Sequence, residues 1–435
     1  MRSPAYPTSP RPPTGPGPSH VPALDGLRGA AVTGVLLFHT GAMPGGFLGV
    51  DLFLVLSGFL ITGLLLREVE STGRIALVPF WGRRLRRLFP ALALVLAGVT
   101  LVVWVLERLG APVADRGMVS TTLSDALWSQ SFLVNWHLLA QDASYWDAFG
   151  QSRVFGHLWS IAVEEQFYLV WPVLVGAVLW AVSRFWSRRP GRSASAVFTL
   201  TLAGAGVSLL LMIMMVDPAD PTRVYTGTDT RAFSLLLGGA AATAAARRWF
   251  QHLVEAHHAL SGWLIGTLAL GILVFWVLAD GTATPGLFTG GLFGHAAACA
   301  VLVGLCAAVT TSGERDPGAM PPSPLPVRVL RARAMTWVGG ISYSLYLWHW
   351  PVIVLMPPHQ YPALPAWAHA TFVIGISLAL AVASKRLVED PIRFRARWAR
   401  GRTGLVLFGA SSAALLLLWF GLPAPSAPPI DIDEL

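Results

Sequence analysis

Long apolar runs recur along almost the whole chain, separated by short segments rich in charge, proline or glycine. A helix that crosses a bilayer needs about 20 predominantly apolar residues. Eleven runs approach or reach that length, namely residues 24–43, 46–66, 88–107, 157–182, 196–216, 232–246, 262–279, 288–310, 337–356, 367–386 and 404–422. The pattern predicts an all-α fold, a polytopic transmembrane helical bundle of about eleven spans.

Composition agrees with a membrane protein, because only 12% of the residues are charged and 54% are hydrophobic. Soluble domains carry about 25% charged residues. The two cysteines, Cys299 and Cys306, lie seven residues apart in one apolar run, which predicts packing rather than a disulfide or a metal site. We expect no metal ion.

The basic residues indicate the orientation of the chain. Segments 67–87, 184–193, 247–259, 313–333 and 385–403 together hold 23 Lys and Arg, whereas the alternate loops hold 5. By the positive-inside rule the basic loops and the N-terminus are cytoplasmic. The net charge of +8 then reflects topology, so the bilayer is the expected partner and no nucleic acid is expected.

Three regions are predicted along the chain. Residues 1–20 are rich in proline and serine and predict a disordered cytoplasmic tail. Residues 21–395 form the membrane domain, and residues 396–435 add a final span and a short external tail. No cleavable signal peptide is expected, since the first apolar run begins near Leu24 and is followed at once by another. The chain is predicted to be a multi-pass protein of the plasma membrane.

The first two spans contain charged or ionisable residues, which are costly in lipid and usually functional. Arg28 and His39 share one helix face in the first span, about 16 Å apart along the axis. Asp51 enters the second span at a depth similar to that of His39. Arg28 also has a simpler interpretation as a local salt bridge with Asp25. His39 also has a simpler interpretation as a packed, hydrogen-bonded core residue.

Further candidates lie in the later spans. His157 and Glu164 are seven residues apart and share a face, although Glu164 also fits a packing anchor. Arg231, Tyr346 and His349 lie toward the outer side and are candidates for binding an acceptor, as is His157. His349 stands between two tryptophans, which is also typical of an interfacial aromatic belt. Ser57 is mid-helix and is interpreted as packing.

Four arginines crowd a single cytoplasmic segment, FWGRRLRRLFP, at residues 80–90. Arg83, Arg84, Arg86 and Arg87 predict either a face that snorkels to the inner leaflet or a clamp for an anionic cofactor. Arginine holds phosphate through two parallel hydrogen bonds, which favours the second interpretation when several arginines lie together.

Seven motifs appear in a fixed order along residues 22–392: LDGLRGAAVTGVLLFH, GVDLFLVLSGFLI, the arginine cluster ending in proline, HLWSIAVEEQFYLVWP, DTRAFSLLLG, GGISYSLYLWHWP and VEDP. On these motifs the chain resembles the acyltransferase-3 family of integral membrane O-acyltransferases. Some relatives carry an SGNH esterase-like domain after the last span, and no such domain follows it in this sequence. The sequence therefore resembles either the stand-alone membrane domain or a longer protein cut at a linker.

The resemblance implies an acyl-CoA donor from the cytoplasm, with acetyl-CoA expected, and a hydroxyl-bearing acceptor such as a glycan, a lipid-linked sugar or a macrolide-like metabolite. It implies that the family's essential histidine and arginine are His39 and Arg28, and that its WS-x-x-x-E glutamate is Glu164. Its R-x-x-R pair corresponds to Arg83/Arg86 or to Arg84/Arg87, and the sequence leaves both registers open.

The chemistry of these residues fits hydroxyl acylation. A histidine is a suitable general base near neutral pH, and a carboxylate, Asp51 or Glu164, is expected to hold its tautomer. The arginines supply charge for CoA phosphates. Two other classes remain open from sequence: a transporter or proton-coupled protein that uses intramembrane Arg, His and Glu, and a membrane scaffold or sensor without catalysis.

Overall fold

The computed structural model describes residues 21–112, 117–146, 153–185, 192–315, 323–399 and 401–423. The predicted tails at 1–20 and at the extreme C-terminus therefore lie outside the described residues. Within those ranges the protein is all-α and contains no strand. The helices are α1 Pro22–His39, α2 Gly49–Thr72, α3 Leu77–Arg108, α4 Met118–Gln130, α5 Val134–Ala140, α6 Trp159–Phe185, α7 Arg192–Met215, α8 Thr222–Thr226, α9 Thr228–Ala241, α10 Ala244–Ala256, α11 His258–Leu278, α12 Gly291–Arg315, α13 Leu325–Leu330, α14 Arg333–Leu355, α15 Ala366–Ser384 and α16 Gly401–Gly421.

A helix overlaps each of the eleven predicted spans, and eight helical segments among the described residues are long and apolar enough to cross a membrane. The all-α polytopic bundle is confirmed. The shorter or more polar helices α1, α9 and α14 are not among those eight, so the number of crossings stays a prediction, as does the orientation.

The boundaries differ from expectation in two places. Residues 118–140, left without elements by the hydrophobic pattern, form α4 and α5, which are too short to span a bilayer. The predicted sixth span is wrong in its second half. Helix α9 ends at Ala241, and α10 starts a new amphipathic helix at Ala244. A run of small apolar residues does not show where one helix stops and the next begins.

Helix α1 lies in the middle of the bundle, where it packs most extensively against α14 and also against α2, α12 and α13. Two glycines allow the approach to α14. A Cβ on Gly29 would lie against the carbonyl of Met335, and one on Gly339 would collide with the carbonyl of Asp25. Small residues let membrane helices approach closely. The contact brings the C-terminal half of α14 beside the end of α1, where His39 lies.

Helices α2 and α9 cross in the same manner, through Gly58 and Gly238. A Cβ on either glycine would collide with backbone carbonyl groups of the opposite helix. This crossing places the first turn of α2 against the first half of α9. The final helix, α16, packs against α3 and α4, with the indole Nε1 of Trp419 donating to Gln130 Oε1 at 2.7 Å. The predicted boundary at residue 395, between the membrane domain and the region of the final span, stays a prediction.

Candidate active site

Two histidines from distant parts of the sequence meet at the end of α1. His39 Nδ1 lies 2.9 Å from Nε2 of His349, and His349 Nδ1 lies 2.6 Å from the carbonyl oxygen of Tyr346. A carbonyl oxygen only accepts, so Nδ1 of His349 carries its proton. In the neutral ring Nε2 of His349 is then an acceptor, and His39 Nδ1 donates to it. This arrangement places the lone pair of His39 on Nε2.

The surroundings of His39 are aromatic and largely buried. Its ring lies 4.7 Å from the ring of Trp350, and His157 packs edge-on against His349 with centroids 5.4 Å apart. A small cavity of about 40 Å³ touches His39 and is lined by polar and aromatic side chains. These include Ser144, Tyr145, Arg153, His157, Trp159 and Trp350. His39, His157 and His349 are therefore brought together, as one cluster.

A second cavity, which we call the arginine cavity, has a volume of about 330 Å³. Arg28, Arg84 and Arg87 line it together with Glu164 and Tyr168. The Arg84 guanidinium lies 5.6 Å from the ring centre of Tyr168. The charged lining consists of five cations, Arg28, Arg84, Arg87, Lys385 and Arg393, and three carboxylates, Asp25, Glu164 and Glu389. The cavity therefore has an excess of positive charge, which suits an anionic ligand.

The pairs Arg83/Arg86 and Arg84/Arg87 lie on different sides of helix α3. It runs unbroken through the cluster, so neighbouring arginines differ by about 100° around its axis. Arg84 and Arg87 face the arginine cavity, whereas Arg83 and Arg86 line a separate cavity on another side of α3. Arg83 and Arg86 therefore do not line the cavity of Arg28, whereas Arg84 and Arg87 do. Which of the two pairs binds a cofactor stays a prediction.

The arginine cavity continues into a neighbouring space of about 450 Å³, which shares Arg28, Arg84 and Arg87 with it. Arg67 and Arg247 also line this space. Sequence reasoning counted these two residues only as topology signals. The sequence shows that both arginines belong to basic segments between the apolar runs. It does not show that they line the same cavity, because this depends on how α2 and α10 pack.

Glu164 lies in the arginine cavity. Its Oε1 accepts hydrogen bonds from the hydroxyls of Ser57 and Tyr168. Ser57, interpreted from sequence as a packing residue, is thus a hydrogen-bond donor to a predicted site residue. Because its hydrogen bonds run to α2 and along α6, Glu164 lies among the residues of the arginine cavity rather than in the histidine cluster.

Tyr346 separates the arginine cavity from the histidine cluster. Its ring lines the arginine cavity, and its hydroxyl lies 2.6 Å from Ser160 Oγ and donates to the carbonyl of His157 at 2.8 Å. His157 lines the cavity of His39. The two cavities are therefore adjacent, and the side chains of Tyr346 and Ser160 form the partition between them.

Asp51 was expected to hold the tautomer of His39, and Arg231 was expected to bind an acceptor. In the structure the two residues instead form a buried ion pair with each other. Arg231 donates to Asp51 Oδ1 at 2.7 Å, and both side chains are 0% exposed. Ser234 donates to the same oxygen at 2.7 Å, and His295 faces Oδ2 at 3.8 Å. A guanidinium buried in this way cannot reach an acceptor, and Asp51 is occupied by partners other than His39. The pair instead joins α2 to α9.

The chain was compared with known proteins. A family model described as an acyltransferase domain, Acyl_transf_3, matches residues 21–386. The chain is 34% identical over 383 residues to the putative peptidoglycan O-acetyltransferase YrhL of Bacillus subtilis, covering 86% of this chain and 55% of that protein. It is 33% identical over 376 residues to the peptidoglycan O-acetyltransferase OatA of Listeria monocytogenes, covering 86% and 56%.

A third relative, the O-acetyltransferase OatA of Staphylococcus aureus, is 31% identical over 379 residues, with 86% of this chain and 58% of that protein covered. The chain thus spans somewhat more than half the length of these relatives. No solved structure matched the chain. Since the family model covers most of the sequence and every motif up to His349 lies within it, the chain belongs to the acyltransferase-3 family of multi-pass membrane proteins.

Proposed function

We propose that this protein is a membrane O-acyltransferase that moves an acetyl group from cytoplasmic acetyl-CoA to a hydroxyl of a cell-envelope glycan. The observation that carries the proposal is the hydrogen-bonded series from the carbonyl of Tyr346 through His349 to His39. It leaves one imidazole nitrogen of His39 without its proton, and the arginine cavity lies on the other side of the partition formed by Tyr346 and Ser160.

The donor occupies the arginine cavity in this proposal. Arg28, Arg84 and Arg87 contact the phosphates of CoA, and the pantetheine arm extends past Tyr346 toward His39. The arm has to cover about 16 Å along α1, which is within the reach of pantetheine. Movement of the Tyr346 side chain opens the partition and admits the thioester.

The acceptor hydroxyl enters on the side of His39. Nε2 of His39 takes the hydroxyl proton while the oxygen attacks the thioester carbonyl carbon, and a tetrahedral intermediate forms. The C–S bond then breaks, the ester remains on the acceptor, and the CoA thiolate takes the proton from His39. The base is thereby restored, and His349 keeps its proton on Nδ1 throughout.

The nature of the acceptor is inferred from the relatives. Two of them are named peptidoglycan O-acetyltransferases, the Bacillus one with the qualifier putative. We therefore propose a sugar hydroxyl of peptidoglycan as the acceptor of this protein. A soluble metabolite or a lipid-linked sugar are the other acceptors that the same chemistry serves.

The proposal is tested by expressing the full chain in a bacterial host whose peptidoglycan carries no O-acetyl groups. Purified peptidoglycan is treated with mild base, and the released acetate is measured beside mass spectra of the muropeptides. We expect ester-linked acetate with the wild-type protein and a loss to background with His39→Ala.

His359→Ala is the matched control, because His359 is exposed in the short 3-10 helix Pro358–Gln360 after α14 and does not line the cavity of His39. It should acetylate like the wild type at equal membrane abundance. Acetylation of a lipid or a soluble metabolite with none on peptidoglycan would overturn the proposed acceptor. Wild-type transfer by a folded His39→Ala protein would overturn the proposed base.

A further inference from the structure

A cavity of about 620 Å³ lies between α3 and α16, on a different side of α3 from the arginine cavity. Three arginines line it, Arg83 and Arg86 from α3 and Arg402 from the start of α16. The rest of its lining is largely apolar and includes Phe89, Leu405 and Phe408. The proposed acyl transfer uses none of these residues.

The charge of these arginines is poorly neutralised by the protein itself. Arg83 has a carboxylate oxygen of Glu68 at 3.6 Å, and its side chain is 47% exposed. Among the described residues, neither Arg86 nor Arg402 has an ion pair within 4.0 Å. The rim of the cavity therefore presents positive charge in the segments predicted to be cytoplasmic, where anionic lipid headgroups lie.

The apolar part of the cavity is continuous with the outer surface of α16. The rings of Phe89 and Phe408 meet at 4.5 Å and form its floor. Leu405 is 48% exposed and Val406 is 69% exposed, so the helix offers apolar surface from the rim outward. Trp398 lines the rim and is 53% exposed, a position typical of interfacial tryptophans.

We infer that this cavity binds one anionic phospholipid of the cytoplasmic leaflet, with its phosphate between Arg83, Arg86 and Arg402 and its acyl chains along Phe89, Leu405 and Phe408. The bilayer supplies a ligand with this division between an anionic head and apolar chains. Arg402, Leu405 and Phe408 lie beyond residue 386, where the match to the family model ends. The site therefore depends on the last helix of this chain.

The inference is tested with the full chain, purified in a mild detergent and delipidated. Binding of phosphatidylglycerol and of phosphatidylcholine is measured by native mass spectrometry. We expect phosphatidylglycerol to be retained in preference to phosphatidylcholine. The variant Arg83→Gln/Arg86→Gln/Arg402→Gln should lower phosphatidylglycerol binding by about tenfold or more, because each arginine near the membrane surface contributes to headgroup binding.

The matched control is Arg328→Gln/Arg331→Gln/Arg333→Gln. It removes the same charge from exposed residues of another predicted cytoplasmic segment and should bind phosphatidylglycerol like the wild type. A second variant, Ser411→Phe, keeps every arginine and fills the apolar part of the cavity, since Ser411 lines it and is exposed. It should also weaken lipid binding.

If the two triple variants lose phosphatidylglycerol binding equally, the loss depends only on the net charge of the protein, and the inference is overturned. Displacement of bound phosphatidylglycerol by glycerol phosphate would show that the apolar part of the cavity contributes nothing to lipid binding. That result would also overturn the inference. Displacement by CoA would assign the cavity to the acyl donor instead of to a lipid.

Discussion

At the residue scale, the state of His39 depends on a partner 310 positions away. The proton on Nδ1 of His349 is fixed by a backbone carbonyl, and a backbone group does not titrate. The tautomer of His39 is therefore set by two neutral groups. Sequence reasoning assigned that task to a carboxylate, because carboxylate–histidine pairs are common, and had no local signal for a histidine–histidine pair.

We predict that removal of His349 lowers kcat and leaves the KM for acyl-CoA nearly unchanged. Loss of a buried hydrogen-bond partner costs about 1–3 kcal/mol, which corresponds to roughly 5- to 150-fold in rate. His39→Ala should cost more, on the order of 10²–10⁴-fold. Steady-state kinetics of the purified variants measure both effects.

The conservative variant His349→Gln separates positioning from packing, because its amide oxygen can still accept from His39 Nδ1. It should retain more activity than His349→Leu at equal thermal stability. If the two variants are equally inactive, or if either one raises the KM for acyl-CoA as its main effect, His349 does not position His39.

A second prediction at this scale concerns the arginine pair. Arg84→Ala/Arg87→Ala should raise the KM for acyl-CoA by about tenfold or more, since charge-assisted contacts to phosphate contribute about 1.5–3 kcal/mol each. Arg83→Ala/Arg86→Ala should raise it less, because those side chains line a different cavity. Titration of acyl-CoA at saturating acceptor gives both constants.

The charge control for this series is Arg328→Ala/Arg331→Ala, on the exposed side of α13. It should leave the KM for acyl-CoA within about twofold of the wild type. A larger effect from Arg83→Ala/Arg86→Ala than from Arg84→Ala/Arg87→Ala would show that the donor uses the other side of α3.

At the scale of elements, the bundle depends on close helix crossings at glycine and on one buried ion pair. The sequence contains 43 glycines, and composition alone does not show which of them touch another backbone. Gly339 and Gly340 illustrate the difference. A Cβ at Gly339 collides with the carbonyl of Asp25, whereas a Cβ at Gly340 has nothing within 4 Å.

We predict opposite effects for the two substitutions. Gly339→Ala should destabilise the protein by about 1–3 kcal/mol or more, because α1 and α14 have to separate. Gly340→Ala should be neutral or stabilise by about 0.4–1 kcal/mol, because alanine restricts the unfolded chain. Thermal unfolding of the two variants in one detergent measures the difference, and equal melting temperatures would contradict the close crossing.

The ion pair between Asp51 and Arg231 gives a further prediction. Arg231→Met removes the guanidinium from a fully buried carboxylate, which keeps only Ser234 and His295 as partners, and should destabilise the protein by about 3–5 kcal/mol. The double variant Asp51→Leu/Arg231→Met removes both charges and should be more stable than the single variant. Denaturant unfolding in mixed micelles is the measurement. A double variant less stable than Arg231→Met would contradict a purely structural pair.

At the scale of the whole molecule, the arginine cavity and the histidine cluster lie at different depths along α1, and we predict that the arginine cavity is on the cytoplasmic side and the histidine cluster on the outer side. This division depends on the predicted orientation, which follows from 23 basic residues in one set of loops against 5 in the other. With eleven spans the N-terminus is inside and the C-terminus outside.

Reporter fusions test the orientation directly. A fusion after Arg333 should report the cytoplasm, and a fusion after Leu435 should report the exterior. If both fusions report the same side, the number of spans is wrong by one. If both are reversed, the arginine cavity opens to the outside, and a cytoplasmic acyl-CoA cannot be the donor.

The sequence alone determined that the protein is a helical membrane bundle, because the length and apolarity of a run are local properties. It also singled out the candidate site residues, since a charged or imidazole side chain in an apolar run is conspicuous wherever it packs. Arg28, His39 and Glu164 were found in this way. The seven ordered motifs indicated the family, and the family match over residues 21–386 agrees.

Only the tertiary structure decided how those residues are partnered. Arg83 and Arg84 are adjacent in sequence, and their different cavities follow from the side of α3 that meets the bundle. Asp51 and Arg231 lie 180 positions apart and pair because glycines let α2 and α9 cross. A hydrophobic pattern fixes the direction of each residue around its own helix axis. It contains no information about which neighbouring helix a side chain faces, and that neighbour supplies the partners that determine what the side chain can do.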